Sequence, residues 1–367
     1  MKKVLLSLAT VALLFTACSD DSKEILLQEQ QIDMSDFYVY TDFNDDLSSK
    51  SVNSKESYKT CYTMDVLNKQ LRENPGLEKK MFDIEYQTRK FLTAKGKPGG
   101  APGGGSGSGG EEDVDVLPID DGLGIIKIPV HVNVLYNTSA QNVSNAQIKA
   151  QIDVLNKDFR KMNSDASLLP SASTFGNDIS DTQIEFVIDV NNPADITRKS
   201  TGVTAWSTND DMKKSSQGGI DPTNPDKTLN IWICNISGGI LGYAQFPGGP
   251  SSTDGVVILY SSLPGGSAAP YNLGRTATHE VGHYLNLRHI WGDGRCKQDD
   301  YVLDTPSSDG ANYGCPSYPT INCSSADMTM NYMDYTDDGC MYMFTDGQRN
   351  RMRAILANNA VRGNLKL

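Results

Sequence analysis

The run TATHEVGHYLNLRHIWGDG, Thr276 to Gly294, holds three of the chain's four histidines and constrains the fold more than any other stretch. His279 and His283 are four positions apart. On a helix both imidazoles leave one face and can grip one ion, while Glu280 beside them can reach a water on that ion. His289 can join the same ion only if the helix stops abruptly and the chain turns back. Asn286 is the expected turning point, because asparagine tolerates the left-handed backbone better than other non-glycine residues. Three nitrogen ligands and one open position describe a catalytic zinc site rather than a closed structural one. The fourth histidine, His131, stands alone in a strand pattern and reads as structural.

The chain has 367 residues and 38% hydrophobic content, enough for a sizeable packed core. Its net charge of −12, with no Lys/Arg cluster, excludes a nucleic-acid partner, since phosphate binding needs a basic face. The opening Met1-Lys2-Lys3, an apolar run through Phe15 and TAC ending at Cys18 have the layout of a secretory signal peptide over 1–17. LFTAC also resembles a bacterial lipobox, which would make Cys18 a lipidated mature N-terminus, and the acidic SDDSKE after it resembles signals that direct lipoproteins to the outer surface. The alternative is an ordinary cleaved signal in which Cys18 has no role. Either way the protein is expected to leave the cytoplasm, as an outer-membrane or cell-surface lipoprotein or a secreted protein, and Cys18 is its one expected tie to a membrane.

KGKPGGAPGGGSGSGGEE, 95–112, lacks any large apolar anchor and is expected to be a flexible linker, taken as 95–117. It divides a small segment, 18–94, from a larger domain, 118–367. In the small segment Leu67, Leu71, Leu77, Met81 and Ile84 have helical spacing, broken at Asn74-Pro75. In the larger domain Gly124–Tyr136, Ile184–Val190, Leu229–Cys234, Gly242–Phe246 and Val256–Tyr260 read as strands. Ser144 with Gln147, and Thr345 with Gln348, are capping-box patterns that open helices. A further helix, about Leu273 to Asn286, carries the histidines. The fold class is therefore mixed α/β (α+β), with a loop-rich C-terminal half. Export permits disulfides, and Cys296, Cys315, Cys323 and Cys340 look like two bridges, whose three connectivities composition leaves open.

HEVGHYLNLRH resembles the extended zinc motif of the metzincin metallopeptidases, and NYMDYTDDGCMYMFTDGQRNRM, Asn331 to Met352, resembles the Met-turn segment of the pappalysin family within them. LGYAQFPGG and DDYVLDTP are further family-like stretches, so the resemblance covers about 125–367. It departs from the metzincin pattern in having Asn286 where glycine is usual. The resemblance implies a metzincin-type catalytic domain with an antiparallel-edged mixed sheet and an active-site helix, preceded by a small propeptide. It also implies that Met333 floors the zinc ligands and that Tyr335 approaches the metal or the reacting group. Calcium would be held by Asp300, the carbonyl of Leu303 and Thr305; a solvated acidic loop is the alternative. The implied disulfides are Cys296–Cys323 and Cys315–Cys340.

The function implied is a zinc-dependent endopeptidase, monomeric, acting on polypeptides and made as a latent zymogen. Glu280 would act as general base toward a zinc-activated water, and the substrate would lie antiparallel to the edge Gly242–Phe246. YKTCYT resembles the family's propeptide motif, implying that the Cys61 thiolate closes the open zinc position, although the motif has glycine where this chain has Tyr62. Asp338 would floor the pocket for the residue after the cut bond. A buried carboxylate with no internal partner would favour cleavage on the N-terminal side of Arg or Lys, and a plain Asp-Asp-Gly turn is the alternative. Lys95 is the expected processing site. A surface lipoprotein that uses the same scaffold for adhesion or metal binding has no use for Glu280.

Overall fold

The computed structural model describes residues 32–39, 61–95, 116–170, 173, 175 and 179–367. The chain divides into two units, Met1–Ile32 and Asp33–Leu367. Nearly all of the first, with Cys18, lies outside the described residues, as does most of the linker.

Two helices precede the linker, α1 (Thr63–Glu73) and α2 (Leu77–Lys95). They are separate because Pro75 has no N–H to donate, and the turn around it closes by Leu77 N donating to the Asn74 carbonyl at 3.1 Å. Leu67, Leu71, Leu77 and Met81 form an apolar cluster with Met64, Val39 and Phe246. Each such side chain contributes roughly 1.5–3 kcal/mol when fully buried, so this contact fastens the N-terminal segment onto the rest. Lys95, expected at the start of the linker, is the last residue of α2.

Beyond the linker the elements are β1 (Ile126–Tyr136), α3 (Asn145–Phe159), β2 (Ile184–Val187), β3 (Ile196–Ser200), β4 (Leu229–Cys234), β5 (Gly242–Ala244), β6 (Val256–Leu259), α4 (Arg275–Tyr284), the short β7 (Ile321–Asn322) and β8 (Ser325–Ala326), and α5 (Asp346–Leu356). The main sheet runs β2-β1-β4-β6-β5, and β3 pairs with the second half of β1. All of its pairings are parallel except β5 with β6. Parallel strands need both faces covered, and IWIC in β4 and VVIL in β6 are correspondingly apolar throughout. One face packs Phe159, Phe186, Val281 and Tyr284 into the main core; Trp206, Trp232 and Tyr243 fill the other. His131 is buried on β1, 2.9 Å from Thr197 Oγ1, in the structural role expected.

Both capping boxes form, at Ser144/Gln147 and Thr345/Gln348. The sequence expectations differ from the fold at β2, which ends at Val187 where the chain turns, at β5, which stops at Ala244, and at β3, which was not expected. ITRKS has no apolar alternation, and none of its residues is fully buried. Antiparallel β5 ends the sheet and lies against α4, so the sheet edge and the histidine helix share one cleft.

Candidate zinc centre and active site

Helix α4 is buried along its whole length. Its side-chain anchors are Thr278 Oγ1, donating to Asp158 Oδ2 at 2.7 Å, and Arg275, whose Nε lies 2.8 Å from the same oxygen. Burial pushes the Asp158 carboxyl up to about 6 despite Arg275. The helix ends at Tyr284, and Asn286 takes φ +75°, as expected. That left-handed residue reverses the chain and returns His289 to the helix face.

The three imidazoles converge. His283 Nε2 is 3.1 Å from His279 Nε2 and 3.1 Å from His289 Nε2. Each Nδ1 faces an acceptor: the Tyr332 carbonyl at 2.7 Å for His279, the Leu287 carbonyl at 2.8 Å for His283, and the Asp293 carboxylate for His289. A carbonyl oxygen can only accept, so His279 and His283 keep their protons on Nδ1 and turn bare Nε2 lone pairs toward each other. Facing lone pairs at that distance repel unless a cation lies between them. Borderline-soft zinc suits such a donor set, and the acceptors behind the rings fix their orientation. Asp293, four residues after His289, went unnoticed in the sequence.

Cys61 completes the cluster. Its Sγ and one nitrogen of each of the three histidines all lie within 4.8 Å of one another, the group of this kind found among the described residues. Burial, followed by the Glu280 carboxylate, pushes the Cys61 thiol well above its usual range in the absence of metal. A cation held among these donors would reverse that balance and favour the thiolate. Tyr62 has φ −109°, which any residue adopts, so glycine is not required after Cys61.

Glu280 is fully buried, with Oε2 3.4 Å from Cys61 Sγ. Thr63, which carries no recognisable motif, donates from Oγ1 to the same oxygen at 2.8 Å and accepts the Ala244 N–H at 2.8 Å. Tyr62 N donates to the Gly242 carbonyl at 3.2 Å, and Cys61 bridges Gly242 in the parallel sense. A Cβ on Gly242 would come within 2.9 Å of Glu280 Cγ, so glycine lets the edge strand approach the carboxylate. Below the histidines, Met333 is fully buried and its Sδ fills the space where a Gly282 Cβ would stand. The Tyr335 ring lies 5.6 Å from that of His279 and 5.0 Å from that of His289, and its hydroxyl donates to the Cys61 carbonyl at 3.3 Å.

Residues 213–357 match the Peptidase_M43 family model, described as pregnancy-associated plasma protein-A. An extracellular metalloprotease of Arthroderma benhamiae is 34% identical over 238 residues, covering 62% of this chain and 76% of the relative. Promirolysin of Tannerella forsythia, solved as a mutant, aligns with TM-score 0.69 and 40% identity over 84% of this chain and 97% of that one. The chain belongs to the pappalysin family of metallopeptidases. Mature mirolysin of the same organism, in complex with a cleaved peptide, is similar with TM-score 0.64 and 46% identity over 66% of this chain and 96% of that one. Extracellular metalloprotease 1 of Coccidioides posadasii is 46% identical over 134 residues, so the chain spans about half (49%) of that curated relative.

The pappalysin disulfides form as the resemblance implied, Cys296–Cys323 and Cys315–Cys340, while Cys61 and Cys234 are free and buried. Asp300 is buried, and Thr305 Oγ1 lies 2.9 and 3.0 Å from its two oxygens. Burial and neighbouring Asp299 push the Asp300 carboxyl well above the usual range. The Leu303 side chain is exposed.

Asp338 departs from the expectation of an unpartnered carboxylate. It is fully buried as expected, but its carboxylate has internal partners: Oδ2 accepts the Leu273 N–H at 2.8 Å and the Arg275 N–H at 3.2 Å. The residue before α4 is Gly274, which has no side chain to cap the helix, and Asp338 supplies the missing acceptor from a distant loop.

Proposed function

We propose that this pappalysin is an exported zinc endopeptidase synthesised as a latent precursor, with residues 1–17 as signal, 18–94 as propeptide and 118–367 as the catalytic domain. The observation that carries the reading is the convergence of His279, His283, His289 and Cys61 beside the buried Glu280 carboxylate at a sheet edge.

Zinc, when bound by the three histidines, supplies Lewis acidity toward the scissile carbonyl and its attacking water. Glu280 takes the proton of that water and returns it to the leaving amine. β5 receives the substrate backbone antiparallel through the Gly242 carbonyl and Ala244 N–H, which holds the reacting carbonyl in register. Tyr335 is positioned over the histidine rings to donate to the oxygen that gains charge.

In the precursor every one of these functions is engaged. Cys61 fills the fourth ligand position, Thr63 holds Glu280, and the Cys61–Thr63 backbone covers β5. That backbone runs parallel to β5, opposite to a substrate, so none of its own bonds is presented for attack. Removal of the propeptide within or beside the linker frees the site, and Lys95 at the end of α2 is the basic residue offered for self-processing. Cleavage on the N-terminal side of Arg or Lys is ascribed to the Asp338 carboxylate at the N-terminal end of α4. Calcium at Asp300, the Leu303 carbonyl and Thr305, and a lipid on Cys18, complete the proposal. The names of the relatives describe extracellular proteins, in keeping with export.

Casein digestion by wild type and by Glu280→Ala tests the reading. Loss of essentially all activity in the variant is expected. Equal activity in both would sink the mechanism through Glu280, and absence of activity in both would leave a metal-binding or adhesive scaffold.

A further inference from the structure

Two arginines of the catalytic portion reach partners in the segment before the linker, and Arg351 Nη1 also donates to the Tyr301 carbonyl at 3.3 Å. Arg351, on α5, grips the Glu85 carboxylate of α2 with both Nη atoms, at 3.0 and 2.8 Å, and Arg89 adds a third bond at 2.9 Å. Arg288, in the loop between His283 and His289, donates to the Tyr38 carbonyl at 2.6 Å and lies 4.3 Å over the Tyr38 ring. The Tyr301 ring stands between them, 5.1 Å from the Arg288 guanidinium and 5.5 Å from that of Arg351. Arg288 Nη1 and Arg351 Nε have no hydrogen-bond partner among the described residues. Glu85 is the carboxylate to which Arg351 hydrogen-bonds there, and it is 3% exposed.

Departure of the segment takes away Glu85 and Tyr38 together. Two guanidinium groups then remain, flanking an aromatic ring, with Asp293 near Arg288 and Asp299 and Asp300 near Arg351 as their remaining carboxylate neighbours, in a recess also lined by Phe246, Pro247 and Asn286. The Phe246 ring is 5.5 Å from that of His283, so the recess adjoins the zinc centre. Its direction follows from the sheet. A substrate antiparallel to β5 and cut beside Gly242 passes Ala244 and heads for Phe246 with its upstream residues.

We propose that propeptide removal uncovers a carboxylate-binding subsite made by Arg351, Arg288 and Tyr301, filled in the mature enzyme by a Glu or Asp side chain upstream of the scissile bond. Glu85 is the precursor's stand-in for that side chain: a carboxylate in a two-pronged guanidinium fork, flanked by apolar Met81 and Ile84. The inference rests on the zymogen endopeptidase reading above.

The test uses the full chain, expressed and allowed to mature, with fluorogenic peptides that carry Arg after the scissile bond and a single Glu walked through the upstream positions. Matched peptides carry Gln. In one register the Glu peptide should show about tenfold higher kcat/KM, expressed in KM, with the preference shrinking as salt is raised. Arg351→Gln should bring the Glu/Gln ratio to about one. Because that change strands Glu85 in the precursor, Glu85→Gln/Arg351→Gln is made beside it, and Arg288→Gln should lower the ratio independently. Equal cutting of Glu and Gln peptides in every register, or a preference that survives loss of Arg351, overturns the subsite alone. Failure to cut any peptide overturns the endopeptidase reading and the subsite with it.

Discussion

Thr63 Oγ1 donates to the Glu280 carboxylate at 2.8 Å while accepting the Ala244 N–H at 2.8 Å, so one hydroxyl engages both the base and the substrate-binding edge. Thr63→Val keeps the shape and removes both bonds. A hydrogen bond to a charged group is worth about 1.5–3 kcal/mol, so the precursor should mature roughly tenfold faster or more. A time course of precursor conversion checks this, and an unchanged rate would show that Thr63 is a bystander.

Asn286 carries φ +75° and sets the return of His289. Asn286→Gly should retain stability and zinc affinity. Asn286→Ala should cost about 1–2 kcal/mol in unfolding free energy and weaken zinc binding, because strain there displaces one ligand. Denaturation with and without chelator separates the two effects. An alanine variant as stable and as tight as the glycine variant would contradict the assignment.

Glu85 ties α2 to α5. Burial opposes its charge, but Arg351 and Arg89 outweigh burial and hold the carboxyl at about 2 against an ordinary 4.5. A group depressed in the folded state contributes stability in full above its unfolded pKa, and the contribution fades as pH falls toward the folded value. Glu85→Gln should therefore destabilise the precursor at neutral pH, with the gap from wild type closing between about pH 4.5 and 2. Urea unfolding of both proteins across that range is the measurement; a gap independent of pH would rule out the ionic fastening.

Asp338 combines a helix cap with the charge to which specificity is ascribed. Asp338→Asn keeps an oxygen for the Leu273 and Arg275 amides and removes the charge. It should hold the melting temperature near wild type yet abolish the advantage of Arg over Leu after the scissile bond. Asp338→Ala should lose both, at about 1–2 kcal/mol of stability. If Asn retained the Arg preference, the charge would not be its source.

The clustering of the three histidines, the turn at Asn286, the break at Asn74-Pro75 and both capping boxes were legible in the sequence because each rests on contacts within a few residues. The apolar strands β4 and β6 were legible because burial on both faces dictates their composition, and β1 because its residues alternate. β3 was not, since ITRKS is polar and takes its conformation from β1 rather than from its own pattern. Asp338 and Thr63 were misjudged or missed for a related reason. Their partners, α4 and Glu280, lie 63 and 217 positions away, and no local spacing announces such pairs. Asp293 could have been found from its place four residues after a metal-binding histidine, where a carboxylate can orient the ring.

X-ray absorption at the zinc edge, recorded on the unprocessed precursor, tests the four-donor site most directly. The arrangement of His279, His283, His289 and Cys61 predicts one zinc per chain with three nitrogen neighbours near 2.0 Å and one sulfur near 2.3 Å, the sulfur replaced by a light atom in Cys61→Ala. A precursor that binds zinc without a sulfur neighbour would contradict the Cys61 latch, and one that binds no zinc would contradict the metal centre itself.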